Sequence, residues 1–279
     1  MGDLTTIEEI RALLKEQARQ IDALLHGIHR HRRGVENLPA GDSRVFEVIM
    51  PLALAAGSSC HSLLRLTENV GLSVRDAFGV ARSITETVTN AVFVMASGPD
   101  LAERALRHAT QRALRYARQE WRIGDELVKP FAELENEAGK DKFDELLSEF
   151  TSKKGRELNW ISDSVEQRIE FIEASFSPKV GASLRSSFYI NYRESSEILH
   201  GSLYGVLFFL GVTIASTGEG KATVDAHRLA LSISTFFALS ALVQAVGVYA
   251  KWGLASEFSN SALAKFKAIP EINEAYSER

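Results

Sequence analysis

The chain has 279 residues, of which 45% are hydrophobic and 24% are charged. That length allows one large domain or two smaller ones, and the hydrophobic content is enough for a sizeable core. A net charge of -4 excludes a globally basic nucleic-acid-binding protein, although it allows a local basic patch. The one cysteine, Cys60, excludes an intramolecular disulfide. It also fits a reducing cytoplasm, and the first residues do not resemble a signal peptide.

Hydrophobic residues recur with helical spacing nearly throughout, so we expect an all-α protein, a multi-helix bundle. The first helix is predicted from Thr6 to about Arg33. Isoleucine or leucine returns every seven positions along it, at Ile7, Leu14, Ile21 and Ile28. This period predicts one long amphipathic helix that joins a bundle or pairs with a partner helix.

Glycine, proline and capping residues divide the rest of the chain. Asp42 is a candidate N-cap for a second helix, which Pro51 should kink or divide. A third helix is predicted from Ser73 to Ser97, and a fourth starts after Gly98-Pro99-Asp100 and continues through Trp121. We expect a single helical domain over 1–279, with a small charged helical insertion at about 132–175.

Two uncharged stretches near the C-terminus raise the question of a membrane. Leu229–Ala250 has 22 residues without a charge, and Gly201–Thr217 has 17. A membrane-spanning helix needs about 20 apolar residues. Serine, threonine and glutamine side chains interrupt the longer stretch, so we favour a buried central helix of a soluble bundle. A membrane-associated effector that uses both stretches is the alternative.

Arg193 and His200 are the most compact candidate catalytic pair. Seven residues are almost two α-helical turns, so a helix places both side chains on one face. An arginine can hold a phosphate, and an imidazole can move a proton near neutral pH. Together they suit RNA cleavage, in which a base takes the ribose 2′-OH proton and a cation stabilises the phosphorane-like transition state.

Other polar residues could support that pair. Tyr192, Ser196 and Glu197 lie on the same helix, and Glu197 could orient the imidazole. Arg82 and Glu86 begin a polar row that continues at Asn90 on an otherwise apolar helix. Such a row predicts a half-buried polar seam with partners on the Arg193 helix, because unpaired buried charge is costly. It can act behind an active site or serve only as an internal ion pair that sets helix register.

Arginine is also concentrated between Asp100 and Arg122. Arg104, Arg115 and Arg122 lie on one stripe of the predicted fourth helix and are candidates for RNA binding. A solvated helix face is the alternative interpretation. We expect no metal site, since no Cys/His cluster has zinc spacing.

The segment Arg193-Glu-Ser-Ser-Glu-Ile-Leu-His200 resembles the R-x(4–6)-H motif of the HEPN superfamily at its longest spacing. The segments Ala81–Asn90 and Tyr192–Gly201 also resemble a group of uncharacterised bacterial all-helical proteins. The resemblance implies metal-independent RNA cleavage at a dimer interface, in a toxin or an antiviral defence protein. Arg193 would then be the phosphate ligand and His200 the acid and base.

RNA, a second copy of the chain and a protein inhibitor or antitoxin are the partners that this resemblance implies. A different class of function stays open beside it. In a non-enzymatic helical interaction module, the same polar residues would be scaffolding. The burial of His200 distinguishes the two, because a solvent-sealed imidazole with saturated hydrogen bonds favours scaffolding, and an open cleft favours chemistry.

Overall fold

The computed structural model describes residues 4–32, 42–69, 71–117, 120–128, 140–210, 220–270 and 272. Within these ranges the protein is a multi-helix bundle with two short strands, which confirms the predicted all-α class. The chain divides into two compact units. Unit 1 comprises 1–96 and 165–279, and unit 2 comprises Ser97–Ser164. Unit 2 therefore begins and ends earlier than the insertion predicted at 132–175.

Unit 1 contains most of the helices. The first three are α1 (Leu4–Arg32), α2 (Ser43–Leu66) and α3 (Ser73–Ser97). After unit 2 the chain forms the remaining elements: α6 (Val165–Ser175), α7 (Pro178–Ser187), a π-helical turn (Phe188–Tyr192), α8 (Arg193–Leu199), α9 (Leu203–Phe209), α10 (Gly220–Tyr249) and α11 (Gly253–Lys267).

Helix α1 forms as its seven-residue pattern predicts. Ile7, Leu14, Ile21 and Ile28 are all at most 2% exposed, and α1 packs against α2, α10 and α11. Asp42 caps α2, because its carboxylate accepts a hydrogen bond from the backbone N–H of Arg44 at 2.7 Å. Helix α2 continues through Pro51, so the proline does not divide it.

Helix α10 is the centre of unit 1. It packs against α1, α2, α7 and α11, and Phe236 stacks on Phe266 of α11 with ring centroids 4.5 Å apart. Two helices are long and apolar enough to cross a membrane, Ser43–Leu66 and Thr223–Tyr249. In the second helix, 72% of the most apolar stretch is buried inside the protein, as in a core helix. Of the predicted stretch Gly201–Thr217, the part from 211 onward lies outside the described residues.

Two buried arginines converge on the C-terminus of α2. The guanidinium of Arg11 donates to the carbonyl oxygens of Leu64 and Thr67 at 3.0 and 2.9 Å. Arg228 donates to the same Thr67 oxygen at 2.8 Å. The carbonyls at the end of a helix lack intrahelical partners and carry partial negative charge, so two cations there stabilise the end of α2.

Unit 2 begins with α4 (Pro99–Ala117) and continues with β1 (Trp121–Ile123), β2 (Glu126–Val128) and α5 (Lys140–Glu149). The predicted helix through Trp121 is wrong, since Trp121 opens an antiparallel hairpin in which Ile123 pairs with Glu126. The two-residue turn starts at Gly124, whose φ is +63°, as primed hairpin turns require. A Gly-Asp pair between two short apolar runs indicates a hairpin. The helical spacing of the preceding residues led to the prediction of a continuous helix instead.

Candidate functional site

The π-helical turn sets the orientation of α8. A π-turn inserts an extra residue into an α-helix and shifts the register of the residues after it. After the turn, Ser195 and Ile198 face the interior, and Arg193 and His200 are exposed. Phe188 and Tyr192 stack within the turn with ring centroids 4.6 Å apart. The turn thus directs the motif residues outward while Tyr192 stays half-buried.

Helix α3 holds α8 in place through residues on one of its faces. Arg75 donates a hydrogen bond from Nη2 to the carbonyl oxygen of Ile198 at 3.1 Å, near the C-terminal end of α8. Gly79 lies so close to Leu199 that an added Cβ would be 2.8 Å from Cδ2 of that leucine. One turn further along, Arg82 contacts Tyr192. Both ends of α8 are therefore fixed to a single rigid helix.

Arg82, Glu86 and Tyr192 form one half-buried polar cluster. Nε of Arg82 lies 3.2 Å from Oε1 of Glu86, and its Nη2 donates to the Tyr192 hydroxyl at 3.3 Å. The Tyr192 hydroxyl donates to the same Glu86 oxygen at 2.5 Å. Burial, and next the bond to Glu86, raise the pKa of Tyr192. The predicted seam is present, and its partner in the segment that carries Arg193 is Tyr192 of the π-turn.

Asn90, the third member of the row, has a different partner. Its side-chain oxygen accepts a hydrogen bond from Arg168 of α6. The row along α3 therefore serves two neighbouring helices, and only its first two members reach the motif segment.

Arg193 and His200 are both exposed. Within the part of the chain that the structure describes, neither side chain has a hydrogen-bond or ion-pair partner. Seven steps of an α-helix turn about 20° short of two full turns and rise about 10 Å. In the structure Arg193 is the first residue of α8 and His200 is its C-cap, so the two residues mark opposite ends of this short helix.

Glu197 and Ser196 contact other groups than the His200 ring. The Glu197 carboxylate accepts a hydrogen bond from the Ser202 hydroxyl at 2.9 Å. Ser202 in turn caps α9, accepting from the backbone N–H of Gly205 at 3.0 Å. The Ser196 carbonyl accepts from the backbone N–H of His200 at 3.1 Å. These contacts fix the corner between α8 and α9 and leave the imidazole unconstrained.

Sequence reasoning missed a buried polar layer beneath α8. The Ser195 hydroxyl donates to Oδ1 of Asn191 at 2.6 Å, and Nδ2 of Asn191 is buried without a partner among the described residues. Below it, the Ser187 hydroxyl lies 2.8 Å from that of Thr85 and 3.2 Å from that of Ser234. Serine and threonine are common on helices, so nothing in the sequence indicated that these hydroxyl groups lie together.

Large apolar side chains lie exposed beside the motif. Tyr189 is 62% exposed one turn before Arg193, and Tyr204 is 53% exposed one turn after His200. On α9 and at its C-terminal end, Leu203 and Leu210 are 75% and 47% exposed. These exposed apolar side chains are candidates for contact with a partner.

The arginines predicted to bind RNA lie in unit 2, mostly in ion pairs. Arg104 lies 3.6 Å from Glu149 and donates to the Trp160 carbonyl at 3.0 Å. Arg115 donates to the Thr151 hydroxyl at 3.0 Å. Arg122 is in β1 and exposed, so the three do not share one helix face. Their role in RNA binding stays a prediction.

Among the described residues, no group of three His, Cys, Asp or Glu side chains is arranged to hold a metal ion. Comparison of the chain with protein-family models, curated proteins and solved structures finds no match. The function is therefore inferred from the geometry of α8 and its surroundings.

Proposed function

We propose that the exposed face of α8 binds and cleaves RNA without a metal, as a HEPN-like ribonuclease or RNA-binding effector of bacterial toxin or defence type. One observation carries the proposal. Arg193 at the start of α8 and His200 at its C-cap are both exposed and are unpartnered among the described residues. Because both side chains are exposed and unpaired, they are free to contact a ligand.

The reaction follows from these two groups. His200 takes the proton of a ribose 2′-OH, and that oxygen attacks the adjacent phosphorus. The bond from phosphorus to the 5′-oxygen breaks, and a second imidazole gives that oxygen its proton. Arg193 stabilises the charge on the non-bridging oxygens. The products are a 2′,3′-cyclic phosphate and a 5′-hydroxyl.

The Arg82–Glu86–Tyr192 cluster supports the site without touching RNA. It binds α3 to the residue immediately before Arg193, so it fixes the direction in which α8 presents its motif. Positioned groups are effective in catalysis because they need not reorganise during the reaction. Tyr192, Arg82 and Glu86 are accordingly positioning residues.

A second copy of the chain completes the site. One copy presents one motif imidazole, whereas the reaction uses a base and an acid. Leu203 and Leu210 follow His200 closely in the chain and are exposed. Burying them between two copies would bring two motifs close together and remove apolar surface from water. Glutamate at both leucines is expected to give monomers on size-exclusion chromatography and to abolish cleavage.

The experiment is cleavage of a mixed RNA pool in EDTA by the wild type, His200→Ala and His61→Ala. His61 is an exposed histidine of α2 in the same unit and serves as the matched control. We expect cleavage by the wild type and His61→Ala and none by His200→Ala, with equal melting temperatures. Failure of the wild type to cut, or equal cutting by His200→Ala, would refute the proposal.

A non-enzymatic interaction module is the second candidate, and the exposed apolar residues of α9 favour it. In that case, substitutions of Leu203 and Leu210 would abolish self-association or partner binding, and His200→Ala would have no effect on any readout. The burial of α10 supports a cytoplasmic location over a membrane effector. Recovery of the protein in the soluble fraction without detergent tests this.

A further inference from the structure

Unit 2 contains a cleft that the ribonuclease proposal does not use. It is lined by Arg112, Arg115 and Tyr116 of α4 and by Glu157 of the segment after α5, and its volume is about 260 Å³. Ligand pockets in proteins usually have volumes of roughly 300–1,000 Å³. The volume of this cleft lies just below that range, so the cleft suits only a small ligand.

The cleft has an excess of positive charge. Nη1 of Arg112 lies 2.9 Å from Oε1 of Glu157, and Nε of Arg115 lies 3.8 Å from the same oxygen. Two guanidinium groups thus share one carboxylate. The hydrogen bond from Arg112 lowers the pKa of Glu157, which keeps that carboxylate charged. Among the described residues that line the cleft, two positive charges face one negative charge.

Many donors of these arginines are also unused. A guanidinium has five N–H donors. Nη1 of Arg112 bonds to Glu157 and Nη2 of Arg115 bonds to Thr151, and Arg112 also has a side-chain hydrogen bond to Tyr116. Nε of Arg115 is buried and has no hydrogen-bond partner among the described residues. Two arginine forks with free N–H groups match the oxygens of a phosphate.

Tyr116 provides a flat wall beside this charge. Its side chain is 46% exposed, and the Arg112 guanidinium carbon is 5.7 Å from the centre of its ring. An exposed tyrosine ring is a surface on which a nucleobase can stack. The cleft therefore combines a phosphate site with a stacking surface.

We propose that this cleft binds a small phosphate monoester carrying a flat base, such as a nucleoside monophosphate. Arg112 and Arg115 hold the phosphate, and the base stacks on Tyr116. Glu157 occupies the anion position between the two guanidinium groups, so the phosphate displaces this carboxylate when it binds. The proposal does not depend on RNA cleavage by Arg193 and His200, but it assigns Arg115, one of the predicted RNA-binding residues, to a small ligand.

Calorimetric titration of the full chain with AMP, inorganic phosphate and adenosine tests the proposal. We expect AMP to bind more tightly than phosphate and adenosine not to bind. Arg112→Gln and Arg115→Gln should each weaken AMP binding at least tenfold. Tyr116→Ala should weaken AMP binding and leave phosphate binding unchanged.

Glu157→Gln provides the sharpest arm, because its expected effect is a gain. Removing the competing carboxylate should tighten AMP and phosphate binding several-fold, although the variant loses an ion pair. Arg107→Gln is the matched control, since Arg107 is an ion-paired arginine of α4 that does not line the cleft. It should bind AMP as the wild type does.

Three results would overturn the proposal. One is that neither the wild type nor Glu157→Gln binds AMP at millimolar concentration. Another is that AMP binds but Arg112→Gln and Arg115→Gln bind it equally well. The third is that Arg107→Gln weakens binding as much as Arg112→Gln, which would indicate general electrostatic attraction.

Discussion

Replacing Tyr192 by phenylalanine removes one oxygen atom from the cluster that holds α8 on α3. That hydroxyl accepts from Arg82 at 3.3 Å and donates to Glu86 at 2.5 Å. A hydrogen bond to a charged group contributes about 1.5–3 kcal/mol. The Arg82 and Glu86 side chains are 23% and 37% exposed, so water compensates part of the loss. We therefore expect a net loss of about 1–2 kcal/mol.

Thermal unfolding by circular dichroism measures this loss. For a domain of about 200 residues, 1 kcal/mol lowers Tm by about 2–4 °C, so Tyr192→Phe should melt about 5 °C lower. Tyr204→Phe is the control, because the Tyr204 hydroxyl has no hydrogen-bond partner among the described residues. Equal melting of the two variants would refute the stabilising role assigned to the cluster.

The pH dependence of the melting temperature provides a second test of the stabilising role of Tyr192. Burial and the bond to Glu86 raise the pKa of Tyr192 above its ordinary value of 10.0. The native state therefore keeps this proton when the unfolded chain has lost it, and the unfolded state binds fewer protons above pH 10. The stabilisation is fully present below pH 10 and is lost as pH rises. The difference in Tm between the wild type and Tyr192→Phe should narrow above pH 10.

Three further predictions concern the packing of unit 1. His227 lies among Phe78, Phe208 and Phe209, and burial lowers its pKa below 6.5, so the free energy of unfolding should fall as pH drops through 6.5. His227→Phe should show a smaller fall in urea titrations, and an unchanged fall would contradict this. Burial raises the pKa of Cys60 to about 12, so its thiol should react with a disulfide reagent at pH 8 only after denaturation. Rapid reaction of the native protein would exclude that environment. Gly205→Ala would put a Cβ 2.5 Å from the Glu197 carbonyl oxygen, and overpacking of this kind costs about 1–3 kcal/mol. Gly71→Ala, which meets nothing within 4 Å, should cost far less.

Regular helical packing could be predicted from the sequence. The period of seven in α1 describes a face that packs on three helices, and local sequence is sufficient to specify such a face. The hairpin at Trp121 was missed because two three-residue strands carry too few residues to show a period. The glycine at the turn, Gly124, indicates a hairpin more strongly than the arginine spacing indicates a helix that continues through Trp121.

The sequence predicted which residues take part in the candidate site, but not which of them contact one another. A polar row on an apolar helix indicated that Arg82 and Glu86 need partners. That Tyr192 provides them depends on the π-turn, and no residue type specifies an i→i+5 bond. The buried arginines Arg11 and Arg228 were likewise missed, since their partners are carbonyl oxygens at the end of α2. Backbone acceptors have no sequence signature.

The most direct test of the proposed function is whether Arg193 and His200 act as one unit. Single-turnover RNA cleavage in EDTA would be measured for the wild type, Arg193→Gln, His200→Gln and the double variant. A general base contributes about 10²–10⁴-fold, and groups that act together give non-additive losses. We predict that His200→Gln is at least ~100-fold slower than the wild type and that adding Arg193→Gln slows it little further. Rates equal to the wild type, or losses that multiply independently, would contradict the central claim.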